Sequence, residues 1–342
     1  MAIDLPEWPL FGLAEDVRPA LRAAVSAGQP SALVTLYSLD GGGPRPPGAQ
    51  MLFAEGLVAG FLSGGCVEGD VALHAAETLA DGQPRRLIYG EGGPWPDIRL
   101  LCGARIELLV ERVAADDPAA AALLTLTDLR QPAVWRSDGV SRAAEPAKGA
   151  SGPACAFSPA PFRIERQYEP VPRLAVVGAD PTALAIAQLG ALAGFETTLV
   201  RPKGPPDPPG LAGFAYSRAD PGEAFAAIGL DPWTAVAVAT HDWDVDQDAL
   251  LAALPSPASY VGVLGARRRL PERLARLRAA GVEETALARL KAPIGLDLGG
   301  KAPWEVAVAV IAEIIAQRSG RSADANADAE QPQAKTLRDP LG

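Results

Sequence analysis

Cysteine and histidine are scarce in this chain, and their scarcity limits its chemistry. The 342 residues include only three cysteines and two histidines, which are Cys66, Cys102, Cys155, His74 and His241. Three cysteines without a Cys-x-x-Cys pair predict neither a disulfide framework nor a zinc knuckle, so reduced thiols are expected. Two histidines exclude a His-rich metal site and leave two candidates for histidine catalysis.

Basic residues are also in deficit. Lys and Arg total 31 against 41 Asp and Glu, a net charge of −10, whereas a nucleic-acid binder needs a basic face. We therefore expect no nucleic-acid partner. The N-terminal sequence MAIDLPEWPL has acids and prolines where a signal peptide has a basic start, and no stretch approaches the ~20 apolar residues of a membrane span. A cytoplasmic protein without a membrane partner is the expectation.

Glycine and proline are plentiful, with 35 and 33 residues. Much of the glycine and proline falls in four short segments, where a ligand could approach the backbone closely. These segments are 41–48, 64–69, 262–265 and 295–300.

The hydrophobic pattern predicts an α/β fold in four parts. From residue 173 onward, short apolar runs alternate with helical segments, as in parallel strands that are buried on both faces. We predict a small N-terminal α+β domain over 1–112, a linker or weakly structured extension over 113–172, a Rossmann-like doubly wound parallel-sheet domain over 173–318 and a disordered tail over 319–342.

The cysteines of the first domain are candidate functional groups. Cys66 lies where the Gly-rich segment Ser63–Gly69 meets a predicted helix, so unpaired amides and the helix dipole would favour its thiolate. A small buried cysteine in a tight turn is an equal alternative. Cys102 precedes Gly103, and two Gly-flanked thiols are what a soft metal or a sulfur-transfer step would use. Cys155 lies in the loose segment and is treated as incidental.

Two basic segments could hold an anion. The loop 41–48 could present backbone amides and Arg45 to a phosphate, although a rigid connection with Arg45 in water is the favoured alternative. Gly265 precedes Arg267, Arg268 and Arg269, and three arginines near a helix start oppose its dipole. An anion would relieve that cost, so a phosphate or carboxylate partner is predicted there, with a solvated turn as the alternative.

The start of the second domain lacks most of a dinucleotide fingerprint. Gly178 is the first glycine of a G-x-G-x-x-G motif, but Asp180 takes the place of the second, where a bare backbone admits the pyrophosphate. Arg201 ends the second strand, where an acid would hold the ribose of NAD. We therefore predict against NAD, with NADP or another phosphate left open. His241 and Asp242 follow a strand at the ligand-binding edge of the sheet and are candidate binding residues.

Taken together, these motifs resemble the XdhC/CoxI family, the accessory proteins of molybdenum hydroxylases such as xanthine dehydrogenase and CO dehydrogenase. The resemblance spans both domains in family order. It rests on Gly43–Met51, Ser63–Gly69, Leu101–Glu107, Thr240–Asp242, Tyr260–Arg268 and Pro293–Gly299. The chain departs from the family pattern at Ala104, which replaces the second glycine of a Cys-Gly-Gly motif.

The resemblance implies a chaperone that is not a turnover enzyme. Such a protein binds the molybdenum cofactor, as molybdopterin or its cytosine dinucleotide form, and protects it while a cysteine desulfurase supplies the terminal sulfur. It then inserts the cofactor into the large subunit of an apo molybdenum hydroxylase; a homodimer is also expected. The implied molybdenum or sulfur-transfer contacts are Cys66 and Cys102, and the other implied cofactor contacts are Arg45, Gly64, Gly65, Glu68, Gly103, Gly265, Arg267, Arg268, His241 and Asp242.

Two other functions remain open from the sequence. The second domain could serve an NAD(P)-dependent oxidoreductase. Alternatively, Cys66 and Cys102 could form the reversible disulfide of a thiol redox sensor.

Overall fold

A computed structural model describes residues 3, 5–43, 45–94, 100, 103–147 and 153–320. They belong to two compact units that divide between Pro170 and Val171. Nearly all of the tail expected over 319–342 lies outside the described residues. No helix within the described ranges is long and apolar enough to cross a membrane.

The first unit is built on an antiparallel five-stranded sheet in the order β3-β2-β1-β5-β4. Its strands are β1 (Ser31–Asp40), β2 (Gln50–Ala54), β3 (Leu57–Gly60), β4 (Arg85–Tyr89) and β5 (Arg105–Val113). The accompanying helices are α1 (Arg18–Ser26), α2 (Glu68–Asp81) and α3 (Pro118–Asp128), with a short 3₁₀ helix at Leu10–Leu13.

Helices cover both faces of this sheet, so residues 31–37 of its central strand β1 are all buried. Val34 and Leu36 of β1 pack in the cluster that contains Val71 of α2. Leu33, which points to the opposite face, packs with Leu21 of α1 and with α3. A strand buried on both sides has no polar alternation in its sequence.

The interpretation of 113–172 as a linker or weakly structured extension is wrong. After α3, this stretch forms an antiparallel four-stranded sheet in the order β7-β6-β9-β8. Its strands are β6 (Ala133–Ser137), β7 (Arg142–Pro146), β8 (Cys155–Pro159) and β9 (Phe162–Tyr168). Strand β6 is largely buried, but in β7, β8 and β9 only Cys155, Ile164 and Tyr168 are buried, so the apolar signal is weak.

Cys155 belongs to this sheet and not to a loose segment. It lies on β8 in a small apolar cluster with Tyr37, Leu109 and Ile164. Burial raises the pKa of the Cys155 thiol to about 11, against a small opposing effect of Arg166. A thiol of that pKa is inert near neutral pH, which agrees with the incidental role expected for it.

A buried polar network ties the four-stranded sheet to β5. The Glu111 carboxylate accepts hydrogen bonds from Trp135 Nε1 at 3.1 Å, Ser137 Oγ at 2.6 Å and Arg142 Nε at 3.0 Å. Arg142 Nη1 also donates to Asp117 Oδ2 at 2.7 Å. Asp117 in turn caps α3 by accepting from two backbone amides of the first turn. Side chains of β5, of the four-stranded sheet and of the N-terminus of α3 therefore belong to one hydrogen-bonded network.

The second unit is a doubly wound six-stranded parallel sheet, as predicted. Its strand order is β12-β11-β10-β13-β14-β15, which is the Rossmann order. The strands are β10 (Arg173–Gly178), β11 (Glu196–Val200), β12 (Ala215–Ser217), β13 (Thr234–Ala239), β14 (Tyr260–Val263) and β15 (Leu290–Lys291).

Helices pack on both faces of the parallel sheet. They are α4 (Pro181–Leu192), α5 (Pro221–Ile228), α6 (Trp243–Ala253), α7 (Leu270–Ala279), α8 (Glu284–Leu287) and α9 (Pro303–Arg318). Val176 of β10 packs with α4 and α9, and its neighbour Val177 packs with α5, α6 and α7 on the other face. The fold class expected from the sequence, an α+β unit followed by a Rossmann-like unit, is confirmed.

We predict that Arg142→Met destabilises the first unit. The substitution leaves the Glu111 carboxylate buried without its cationic partner, and we expect the free energy of unfolding to fall by about 3 kcal/mol. The matched control is Arg163→Met, whose more exposed side chain makes a 3.5 Å ion pair with Glu165 and should leave stability unchanged. Urea denaturation measures both, and equal stability of the two variants would contradict the role given to Arg142.

Candidate functional site

Among the described residues of the first unit, those predicted as functional lie at one edge of the five-stranded sheet, where its strands begin or end. Strands β1 and β3 both end at this edge, because each is antiparallel to β2, and β5 begins there, opposite the end of β1. Gly41, just after β1, lies against the backbone that precedes β5: a Cβ added to it would be 3.5 Å from Ala104 Cα and 3.6 Å from the Gly103 carbonyl oxygen. Cys102 lies outside the described residues.

Arg45 lies at this edge and does not stand free in water. Its guanidinium stacks over the Phe61 ring, 4.7 Å from the centroid, and pairs with Glu15. The side chain is 20% exposed. Its Nε atom is buried and has no hydrogen-bond partner among the described residues. Since Phe61 directly follows β3, the contact joins the Arg45 loop to the segment that carries Cys66.

Glu68 holds the loop between β3 and α2 by its buried carboxylate. Its two oxygens accept backbone N–H groups at 2.7–3.2 Å from Leu62, Ser63, Gly64, Gly65 and Val67. The Ser63 hydroxyl donates to the same carboxylate at 2.6 Å. Gly64 and Gly65 have φ angles of +82° and +113°, a backbone conformation that favours glycine and that turns consecutive amides inward. Glu68 therefore acts on a ligand only through the loop that it holds.

The expectation of unpaired amides around Cys66 is wrong. The amides on either side of it are bound by Glu68, and its own N–H donates to Ser63 Oγ at 3.0 Å. The alternative of a buried cysteine in a tight turn is also wrong, since Cys66 is exposed. The thiol of Cys66 is therefore accessible to solvent, while the backbone of its loop is fixed by hydrogen bonds to Glu68 and Ser63.

The hydrogen bonds to Glu68 determine its charge. Burial would raise its pKa, but the hydrogen bonds from the Ser63 hydroxyl and from the Ser63 and Leu62 amides outweigh burial, so the pKa is lowered. Glu68 is therefore ionised near neutral pH. Sequence reasoning missed Ser63 and Phe61 as parts of this site; the only hint was the serine three residues before Cys66, a spacing typical of hydroxyl-capped turns.

The second unit places His241 and Asp242 beside the switch point of its sheet. A cavity of about 410 Å³ lies at the ends of β10 and β13, and its polar lining residues are Asp180, Arg201, Thr240, His241 and Asp242. Gly178 stays glycine for packing reasons, because a Cβ there would lie 2.4 Å from the Ala239 carbonyl oxygen and 2.5 Å from Ala183 Cβ. This is the crevice where α/β sheets bind ligands.

Arginines of α7 and the turn before it are connected to this crevice. Asp246 is buried in an ion pair with Arg273 at 2.8 Å and accepts the Thr240 hydroxyl at 2.6 Å. Arg273 also stacks over the Trp243 ring, as do Arg269 and Arg276. Two segments that are distant in the sequence, Thr240–Asp242 and Gly265–Arg269, are therefore connected through one network in the folded chain.

The predicted arginines themselves stay exposed. Arg267 has a distant ion pair with Asp297 at 3.8 Å, and Arg268 is likewise exposed next to it. Within the described part of the chain, no group of three or more His, Cys, Asp or Glu residues could hold a metal ion.

The chain thus combines two units. The first is an α+β unit with an exposed loop thiol, and the second is a Rossmann unit without the dinucleotide fingerprint. Residues 24–90 match the model of the XdhC and CoxI family, and residues 174–314 match the XdhC Rossmann domain. The chain is 32% identical over 318 residues to the molybdenum cofactor insertion chaperone PaoD of Escherichia coli (strain K12), covering 91% of this chain and 92% of PaoD. The chain belongs to the XdhC/CoxI family, and the resemblance expected from its motifs is confirmed.

One further relative and one solved structure are similar to this chain. A protein of Bacillus subtilis (strain 168) named as a probable xanthine dehydrogenase subunit is 25% identical over 331 residues, covering 87% of this chain and 96% of that protein. A crystal structure of a xanthine dehydrogenase from Bacillus halodurans has a TM-score of 0.67 at 22% identity, covering 90% of this chain and 97% of that one. The second likeness supports the fold alone.

We predict that Glu68→Gln loosens the Cys66 loop. The new amide group directs N–H donors at backbone donors, so we expect the unfolding free energy to fall by about 2 kcal/mol and the amides of residues 62–67 to exchange hydrogen faster. Glu77→Gln, at an exposed site on the same helix, is the control and should change neither.

The same variant has a defined pH dependence. The pKa of Glu68 is lowered in the folded state from its ordinary value of 4.5. Its stabilising effect is therefore complete above about pH 4.5 and is lost as the pH falls through the folded-state pKa. The stability difference between the wild type and Glu68→Gln should narrow below that pH. A difference that stays constant down to about pH 3 would contradict an ionised Glu68.

Proposed function

We propose that this protein binds the molybdenum cofactor and inserts it into an apo molybdenum hydroxylase, as a maturation factor and not as a turnover enzyme. The observation that carries the proposal is the match over nine-tenths of both chains to PaoD, whose name is molybdenum cofactor insertion chaperone. An NAD(P)-dependent oxidoreductase is not favoured, because Asp180 stands where a dinucleotide fingerprint has its second glycine.

The first unit offers donors that fit such a cargo. The exposed Cys66 thiol is a soft donor of the kind that molybdenum or a transferred sulfur would use. Arg45 lies at the same sheet edge, and its buried Nε–H has no partner among the described residues, so a bound anionic oxygen would satisfy it. Cys102, whose neighbour Gly103 lies at this edge, is proposed as the second sulfur contact.

The second unit offers cations and polar groups for the rest of the cargo. Arg267 and Arg268 are exposed guanidinium groups suited to a phosphate. Gly265, His241 and Asp242 are proposed as further cofactor contacts.

The proposal extends to partners and location. The client is the large subunit of an apo hydroxylase of the xanthine dehydrogenase or CO dehydrogenase type, and a cysteine desulfurase supplies the sulfur. The cofactor is molybdopterin or its cytosine dinucleotide form. The protein acts in the cytoplasm, as a homodimer.

We predict that Cys66→Ala and Cys102→Ala each lower cofactor occupancy to well below half that of the wild type. The protein would be purified from cells that make the cofactor, and molybdenum and oxidised pterin would be measured per chain. Cys155→Ala is the matched control, since that thiol is buried in an apolar cluster and its loss should leave occupancy unchanged. Wild-type occupancy in both test variants would contradict the role of the thiols, and a reversible Cys66–Cys102 disulfide without bound pterin would favour the redox sensor.

We predict that the double variant Arg267→Ala/Arg268→Ala weakens cofactor binding about tenfold, the loss expected for a charge-assisted phosphate contact. Because these guanidinium groups are exposed, the effect should be largest at low ionic strength and shrink as salt screens the wild-type contact. Arg278→Ala is the control, since Arg278 is an arginine of α7 that already pairs with Glu284. Titrations at about 0.05 M and 0.5 M salt measure the effect, and a loss independent of salt would contradict an electrostatic role.

A further inference from the structure

The crevice of the second unit has the position of a nucleotide site but different chemistry. In this fold the pyrophosphate of a dinucleotide binds the bare N-terminus of the helix after the first strand. Here that helix is α4, and the cavity of about 410 Å³ opens beside it. The cavity is large enough for a heterocycle with a short side chain.

Asp180 fills the anion position of α4 from within the chain. Its Oδ1 accepts the Ala183 amide at 2.9 Å, so the helix N-terminus already has a negative partner. Its Oδ2 lies 3.1 Å from His241 Nε2. The Asp180 side chain is 27% exposed and lines the cavity, so its carboxylate can still be reached by a ligand.

A second aspartate, on the opposite wall of the cavity, also provides a carboxylate that can accept hydrogen bonds. Asp242 is the N-cap residue of α6, and its Oδ1 accepts the amides of Asp244 and Val245 at 2.9 and 3.2 Å. The two helices that start beside the cavity are therefore both capped by aspartates that line it. Arg201, at the end of β11, lies on another part of the lining. A diphosphate placed at α4 would meet negative charge, whereas a group with N–H donors would meet acceptors.

We propose that Asp180 is the specificity-determining residue of this crevice: its carboxylate accepts the N–H edge of a heterocycle and excludes a diphosphate. The identity of the heterocycle rests on the proposed function, in which the cargo contains a pterin. The 2-amino-4-oxopyrimidine edge of a pterin has adjacent N–H donors, and a carboxylate accepts such a pair in a bidentate manner.

The test compares two probes on the full-length protein. Free pterin is titrated by its own fluorescence and NADP⁺ by calorimetry. We expect the wild type to bind pterin in preference to NADP⁺. Asp180→Asn and Asp180→Ser both keep a capping oxygen for α4, so the fold should persist, and each should weaken pterin binding about tenfold or more, as for a lost hydrogen bond to a charged group. Asp180→Gly, which restores the bare glycine, should strengthen NADP⁺ binding about tenfold.

The control is Asp220→Asn, at the start of α5 and outside the cavity, which should titrate like the wild type. A wild type that binds NADP⁺ as tightly as pterin, or that binds no pterin, would overturn the assignment. So would folded Asp180 variants, verified by thermal unfolding, that titrate like the wild type. A chain that carries the molybdenum cofactor but fails this test contradicts only the crevice assignment; a chain purified without cofactor contradicts the proposed function itself.

Discussion

The bond between one buried carboxylate and the backbone of a single loop is the constraint on which the candidate site of the first unit depends. The chain must reverse between β3 and α2 within a few residues, and every buried amide of that reversal needs an acceptor. Glu68 supplies it for five of them at once, and the left-handed backbone of Gly64 and Gly65 lets them face inward. With the backbone turned inward, the Cys66 side chain faces outward. The geometry of the exposed thiol is therefore a consequence of where the amides point.

The second unit uses the same physical device with a different result. Asp180 and Asp242 cap the N-termini of α4 and α6, and the N-terminus of α4 is where a nucleotide-binding protein of this fold binds pyrophosphate. Gly178 is kept because β10, β13 and α4 pack too closely there for a side chain. The first glycine of the fingerprint, Gly178, therefore serves packing, whereas the second glycine serves ligand binding and can be replaced without loss of the fold. The fold is retained while its ligand chemistry changes, as expected when function resides in sites placed on a common scaffold.

The sequence predicted the parallel sheet well because strands buried on both faces are uninterrupted apolar runs, and Val176 and Val177 face opposite sides of the sheet yet are both buried. It did not predict the four-stranded sheet, because three of its strands have few buried residues; Ile164, for example, is buried between the charged Arg163 and Glu165. The role of Glu68 was also hidden. An acid in the first turn of a helix usually signals a favourable dipole interaction, and nothing in the pattern shows that its carboxylate turns back to bind the loop before it.

The proposed function requires a chain with a net charge of −10 to bind an anionic cargo. Carboxylates such as Glu68 and Asp180 bind the chain's own amides, so their charges are largely compensated inside each unit. The guanidinium groups of Arg267 and Arg268 remain exposed. In the proposed function, the anion contacts of the second unit are these solvated side chains and not a rigid backbone cradle. Such contacts are individually weak and are screened by salt, so a cargo held by them can be released to a partner that binds it more tightly. That property suits a protein that delivers its ligand better than one that retains it through a catalytic cycle.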